Sequence, residues 1–85
     1  MISQELKQIY KKYNKQQLND AFIDACRDGR LEVVKYLLTS AELTEHADIH
    51  AQDDLGFLLA CRSGHLEVVK YLLTSPELTE HADIH

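Results

Sequence analysis

The segment CRSGHLEVVKYLLTSPELTEHADIH, residues 61–85, repeats CRDGRLEVVKYLLTSAELTEHADIH, residues 26–50, at an interval of 35 positions. Of the 25 aligned positions, three differ: Asp28/Ser63, Arg30/His65 and Ala41/Pro76. A fixed period of this length is typical of repeat proteins, in which a unit too small to bury its own apolar surface packs on the next. The repetition therefore predicts a stack of similar units.

Each copy contains a helix with an apolar stripe. Apolar side chains recur at three- and four-residue steps, the spacing of one helical face. The stripes are Leu31, Val34, Leu37 and Leu38 in the first copy, and Leu66, Val69, Leu72 and Leu73 in the second.

A second helix precedes this stripe in each unit. Residues 55–62 have apolar residues at helical spacing, and Asp53 or Asp54 is the expected N-cap. Gly64 stands where a left-handed residue would end the helix. Each unit is therefore expected to be a helix–turn–helix that stacks on its neighbour.

The repeated pattern ACRxG[RH]LEVVKYLL, followed by HADIHAQD, resembles the ankyrin repeat. The resemblance runs from Asn19 to the end of the chain. It implies an all-α, short ankyrin-type solenoid of stacked antiparallel helix pairs. One domain, 1–85, is expected, with an N-terminal capping helix at 1–18, unit one at 19–53 and unit two at 54–85.

The spacing departs from the family pattern after the second helix. Residues 39–46 supply eight positions where the family typically has three, and the following hairpin is shortened. An extra helical turn is expected in the lengthened loop, with Leu43 and Leu78 pointing inward. The segment HADIH is expected to be irregular.

The first residues match neither unit and are interpreted as a helical cap. Their apolar side chains share one helical face, and a solenoid needs an atypical terminal unit. These side chains are Ile2, Leu6, Ile9, Tyr10 and Tyr13.

Charge is distributed unevenly along the chain. Residues 1–18 carry four lysines and one glutamate, whereas residues 19–85 carry five basic and thirteen acidic residues. An acidic body argues against a nucleic-acid-binding face. No apolar run is long enough to span a membrane, and the first residues do not form a secretory signal. A cytoplasmic protein without nucleic-acid or membrane partners is expected.

Metal-binding and catalytic motifs are weak or lacking. The pairs His46/His50 and His81/His85 have a spacing that could bind zinc on a helix, but the duplication explains them and further ligands are lacking. Cys26 and Cys61 are expected at a small, inward-facing position, and His65 is expected to bond locally near the inter-helix turn. No nucleophile–base pattern or phosphate-binding loop occurs. The sequence therefore predicts a protein that binds no cofactor or metal and is not an enzyme.

The resemblance implies a protein partner bound at hairpin tips and first-helix positions. The corresponding exposed residues are Arg27, Asp28, Gln52, Asp53, Arg62 and Ser63. The alternative interpretation of these six side chains is that they only confer solubility.

A competing hypothesis is structural. No further unit follows the second stripe in the sequence, so Leu66, Val69, Leu72 and Leu73 are candidates for self-association as a homodimer. On this hypothesis the chain is a self-associating unit or a terminal part of a longer array.

Overall fold

A computed structural model describes residues 2–75 of the chain. This part contains five helices and no strand: α1 (Gln4–Lys11), α2 (Lys15–Asp28), α3 (Leu31–Thr39), α4 (Ala51–Arg62) and α5 (Leu66–Thr74). Helices α2 and α3 form one pair, α4 and α5 form the next, and α1 precedes them. The prediction of an all-α solenoid of stacked helix pairs is confirmed, and a helix does form within the first 18 residues.

Polar side chains begin the first two helices. Ser3 Oγ accepts a hydrogen bond of 3.2 Å from the Leu6 amide at the start of α1. Asn14 and Gln17 form a reciprocal capping box at the start of α2, with two bonds of 2.9 Å. These bonds satisfy amides that have no partner inside the helix. The chain therefore turns between α1 and α2 instead of continuing as one helix.

Glycines end the first helix of each pair. Gly29 and Gly64 both have a φ of 75°, in the left-handed region, and the prediction for Gly64 is confirmed. The next amide in each case reaches back to the helix, from Arg30 to Ala25 O and from His65 to Ala60 O, both at 2.9 Å. This bonding closes the helix and redirects the chain at once into the second helix of the pair.

The core lies where α2 packs against α3 on one side and α4 on another, and α4 packs in turn against α5. Its largest fully buried side chains include Phe22, Leu18, Leu37 and Leu72. Gly56 lets α4 approach α2 closely, since a Cβ atom at this position would lie 2.9 Å from the Phe22 ring. First helices therefore stack on first helices, as the 35-residue repeat predicts.

The second helices are linked by lysine–tyrosine contacts that repeat from layer to layer. Lys7 Nζ of α1 lies 5.7 Å from the ring centroid of Tyr36 in α3, and Lys35 Nζ of α3 lies 5.4 Å from that of Tyr71 in α5. These distances allow cation–π attraction. In both cases, therefore, a lysine of one helix lies over a tyrosine of the next helix along this side of the stack.

The loop after α3 is fixed by hydrogen bonds rather than by a helical turn. Ser40 accepts bonds from the amides of Glu42 (3.1 Å, at Oγ) and Leu43 (3.3 Å, at the carbonyl). Residues 41–45 therefore contain no helix, and the prediction of an extra helical turn was wrong for this loop. Leu43 is buried as predicted, whereas Leu78, the helical turn expected in the second copy of this loop and the second copy of HADIH lie outside the described residues.

The start of α4 differs from the sequence prediction. Gln52, Asp53 and Asp54 all have positive φ angles, of 53°, 56° and 63°, so regular helical geometry begins only after them. Neither aspartate caps the helix. The buried Asp54 carboxylate instead contacts His50 Nδ1 at 2.5 Å, because the left-handed turn points it back towards the loop.

The predicted unit boundaries after residues 18 and 53 fall within α2 and α4, respectively. The division into units therefore stays a prediction. None of the helices formed by residues 2–75 combines the length and apolar character that a bilayer crossing requires.

Candidate partner-binding surface

All six side chains predicted to bind a partner are exposed. Arg27 and Asp28 end α2, and Arg62 and Ser63 end α4 beside them, so we call these four residues the arginine end. Gln52 and Asp53 lie at the opposite end of α4, roughly 10 to 15 Å away at about 1.5 Å per helical residue. The six residues therefore form two separate patches rather than one.

The two arginines of the arginine end differ in their surroundings. Arg27 lies 3.5 Å from Asp24 and 3.4 Å from Asp28, measured from guanidinium nitrogen to carboxylate oxygen. Leu59 and Ser63 occupy the corresponding positions near Arg62, whose guanidinium has no ion pair among the described residues. Within residues 2–75, Arg62 is therefore the member of this pair whose charge is not neutralised.

His65 joins the two units. Its Nε2 lies 3.0 Å from the carbonyl oxygen of Arg27, and because a carbonyl only accepts, the ring donates from Nε2. The expected local bond was wrong, since stacking of α4 on α2 brings the ring to the unsatisfied end of α2. The substitution Arg30/His65 was the signal in the sequence, as it is one of three differences between the copies.

Gln52 and Asp53 are presented by the left-handed turn at the start of α4. Non-glycine residues rarely adopt this conformation, which costs roughly 1 kcal/mol or more per residue. The turn is held by the His50–Asp54 contact and by the bond from the His50 amide to Asp48 Oδ1, at 2.9 Å. These contacts fix the direction in which both side chains point into solvent.

The residues predicted for self-association do not share one open face. Leu66 is 75% exposed, Val69 and Leu73 are partly buried, and Leu72 is 0% exposed. Leu72 belongs to the core, because its position on α5 faces α4. This correction leaves Leu66, flanked by Val69 and Leu73, as the accessible part of the stripe.

The cysteines occupy opposite environments although their positions correspond. Cys26 is fully buried beside Gly56, and burial raises the pKa of its thiol to about 12. Cys61 is exposed, so the expectation that both cysteines face inward was wrong for Cys61. Helix α4 covers Cys26, whereas no further helix of the described range covers Cys61.

We expect this difference to make the two thiols react at very different rates. A thiolate is the reactive form, so the buried thiol with its raised pKa should be inert in the folded protein. Titration with Ellman's reagent should release one equivalent rapidly without denaturant and a second only in denaturant. Cys61→Ser should abolish the fast reaction, and rapid reaction of both thiols in that titration would contradict the burial of Cys26.

The structure also reveals a feature that the sequence interpretation missed, a cleft of about 520 Å³ between α1 and α2. Asp20, Asp24 and Asp28 follow its α2 side, and Ile9 and Tyr13 line its α1 side. We call it the acidic cleft. Aspartates at every fourth position of a predicted helix were the available signal, because that spacing places them in one row.

The histidine pair that suggested zinc makes other contacts. His46 Nε2 donates to the Ser40 carbonyl at 2.7 Å, and His50 contacts Asp54. Within residues 2–75, no group of three or more His, Cys, Asp or Glu side chains is arranged to bind a metal ion.

Comparison with known families supports this architecture. A family model described as ankyrin repeats (3 copies) matches residues 2–84. Comparison with curated proteins and with solved structures returned no significant match. Ankyrin repeats are generally non-catalytic modules that bind other proteins. Because the family match extends over almost the whole sequence, the chain belongs to the ankyrin repeat family.

Proposed function

We propose that the chain is a non-catalytic, cytoplasmic protein-interaction module whose partner contacts the arginine end, with Gln52 and Asp53 as a second contact patch. The observation that carries this proposal is the exposed guanidinium of Arg62, which forms no ion pair within residues 2–75. Arginine is enriched among the residues that dominate binding energy, and a guanidinium free of internal carboxylates can bond a partner's carboxylate in bidentate fashion.

The arginine end can also be altered without damage to the fold. All four side chains are exposed, and the ion pairs of Arg27 lie at the surface, where such pairs contribute little to stability. Replacement of both arginines by alanine should therefore change the free energy of unfolding by less than about 0.5 kcal/mol. The effect on binding can then be separated from any effect on folding.

The test is affinity capture from cell extract with Arg62→Ala, Arg27→Ala and the double variant, followed by quantitative mass spectrometry. We expect a partner whose recovery falls about ten-fold with Arg62→Ala, the equivalent of about 1.4 kcal/mol. A smaller loss is expected with Arg27→Ala, because that side chain is already paired with Asp24 and Asp28. Lys12→Ala removes an exposed cation on another surface and serves as the control.

Unchanged recovery of every captured protein with the double variant would contradict this assignment. An equal loss with Lys12→Ala would mean that net charge, rather than the arginine end, determines capture. Neither nucleic acid nor a membrane is proposed as a partner, since the body of the chain is acidic.

A second candidate function is self-association as a homodimer through α5, or packing of α5 on a further unit of a longer array. The exposed Leu66 on α5, with the partly buried Val69 and Leu73 on the same stripe, favours it, because a group of neighbouring apolar side chains at the surface can mark an interaction site. Light scattering over a range of concentrations tests the homodimer. A mass that rises with concentration for the wild type, but not for Leu66→Glu, is expected; a constant monomer mass would exclude it.

A further inference from the structure

The acidic cleft lies where the first helix of a further helix pair would pack in the stack. Helix α1 lies beside α3, and α3 lies beside α5, with Lys7 over the Tyr36 ring and Lys35 over the Tyr71 ring. In the other two layers a first helix, α2 or α4, accompanies the second helix. In the layer of α1 no helix of the described range does so, and the cleft occupies that place. The cleft is therefore placed where a helix would pack in the stack.

The cleft has an apolar floor, formed by side chains of α1 and α2, and an acidic rim along α2. Ile9 on α1 is 46% exposed, and Ala21 and Ala25 lie on the α2 wall. Small residues let a helix backbone approach closely, as Gly56 does where α4 meets the other side of α2. An occupant with an apolar stripe would cover this floor.

The acidic rim selects the charge of the occupant. Asp20, Asp24 and Asp28 lie one helical turn apart along α2. Their polar contacts with the described residues are exposed ones, from Gln16 to Asp20 at 3.1 Å and from Arg27 to the other two. Exposed contacts of this kind are weak, so all three carboxylates are able to receive cationic side chains from a partner.

We propose that the acidic cleft binds an amphipathic helix of a partner protein, with lysine or arginine at every fourth position beside an apolar stripe. The spacing matches the row of aspartates, and the apolar stripe covers Ile9 and the alanines. Except for Asp28, which lies at the edge of both, this surface is separate from the arginine end. This proposal and the proposed function both involve a protein partner, but they place the partner on different surfaces.

Arg30 favours one direction of the bound helix. Its side chain lines the cleft at the end where α2 terminates. A cation there attracts the carboxyl end of a bound helix, because that end carries the partial negative charge of the helix dipole. The bound helix therefore runs in the same direction as α2, as α4 does on the other side.

The test uses the full chain and a designed, fluorescein-labelled peptide amide of about 14 residues, roughly four helical turns. Leucine and alanine form one face, and lysine stands at every fourth position. Fluorescence anisotropy should give saturable binding at a micromolar dissociation constant, weakened several-fold between about 50 and 200 mM NaCl. A peptide with glutamate in place of lysine is the matched control and should bind at least about ten-fold more weakly.

Two double variants of the protein test the location. D20N/D24N should weaken binding of the lysine peptide about five- to ten-fold, because two of the three exposed ion pairs with the peptide are lost. E45Q/E67Q removes the same charge from exposed positions outside the cleft and should leave binding unchanged. Ile9→Glu should also weaken binding, whereas R27A/R62A should not. That last variant separates failure of this proposal from failure of the arginine end.

Three results would overturn the proposal. The first is equal binding of the lysine and glutamate peptides, and the second is equal weakening by the two double variants. The third is a concentration-dependent dimer that Ile9→Glu disrupts, since a second copy of the chain would then be the occupant of the cleft.

Discussion

Phe22→Ala is expected to cost about 3–5 kcal/mol of stability, the largest effect of any single substitution proposed, because it leaves a cavity in the core. The ring is 0% exposed and lies where α2 meets α4. A chain of 85 residues has a total stability of roughly 4–13 kcal/mol at about 0.05–0.15 kcal/mol per residue. We therefore expect Phe22→Ala to remove a substantial part of the total stability, measured as a large fall in the urea midpoint followed by helical circular dichroism.

Leu58→Ala is the control, because Leu58 is 51% exposed on α4 and its truncation creates no cavity. It should cost less than about 1 kcal/mol. A cost below about 1 kcal/mol for Phe22→Ala as well would contradict the close packing of α2 on α4.

Gly56 provides a second check on the same contact. A Cβ at Gly56 would lie 2.9 Å from Phe22 Cε2 and 3.1 Å from Cys26 Sγ, so Gly56→Ala should destabilise the wild type by overpacking. In Phe22→Ala the ring is absent, and alanine favours the helix by about 1 kcal/mol over glycine. The same substitution should then be neutral or stabilising, a change of sign that only direct contact explains.

The helix pairs could be predicted because the local signals agreed. Apolar residues at three- and four-residue steps, glycines at the turns and the 35-residue repeat all indicated the same architecture. The loop and the start of α4 could not be predicted as well. Their geometry depends on bonds to distant residues, such as the 2.7 Å bond from the Asp48 amide to Asn19 Oδ1 of α2.

For the candidate site, only the exposure of its residues could be predicted from the sequence. Arg27 and Arg62 occupy identical positions in the repeat, yet within the described residues one is paired and the other is not, because the substitutions around them change the neighbouring charges. Cys26 and Cys61 differ for another reason, which is that α2 lies inside the stack and α4 lies at the edge of its described part. Sequence identity between units predicts a local fold but not the neighbour that covers it.

Substitution of the glycines at the two inter-helix turns tests this difference between local fold and neighbouring contacts most directly. Gly29 and Gly64 have the same φ of 75°, so alanine at either position should cost about 1–2 kcal/mol for the left-handed backbone. A Cβ added at Gly64 would meet no atom of the described residues within 4 Å, whereas one added at Gly29 would overlap severely with the ring of His65. The two substitutions are therefore matched in backbone strain and differ in contact.

Gly29→Ala is consequently expected to cost about 2–4 kcal/mol, roughly twice the cost of Gly64→Ala. The added Cβ forces the His65 ring away and breaks its bond to the Arg27 carbonyl, a loss of about 0.5–1.5 kcal/mol before any strain. Urea denaturation of both variants measures the difference. In a His65→Ala background the two costs should become equal, because only the backbone term then remains. Equal costs in the wild-type background would instead mean that His65 does not join the two units.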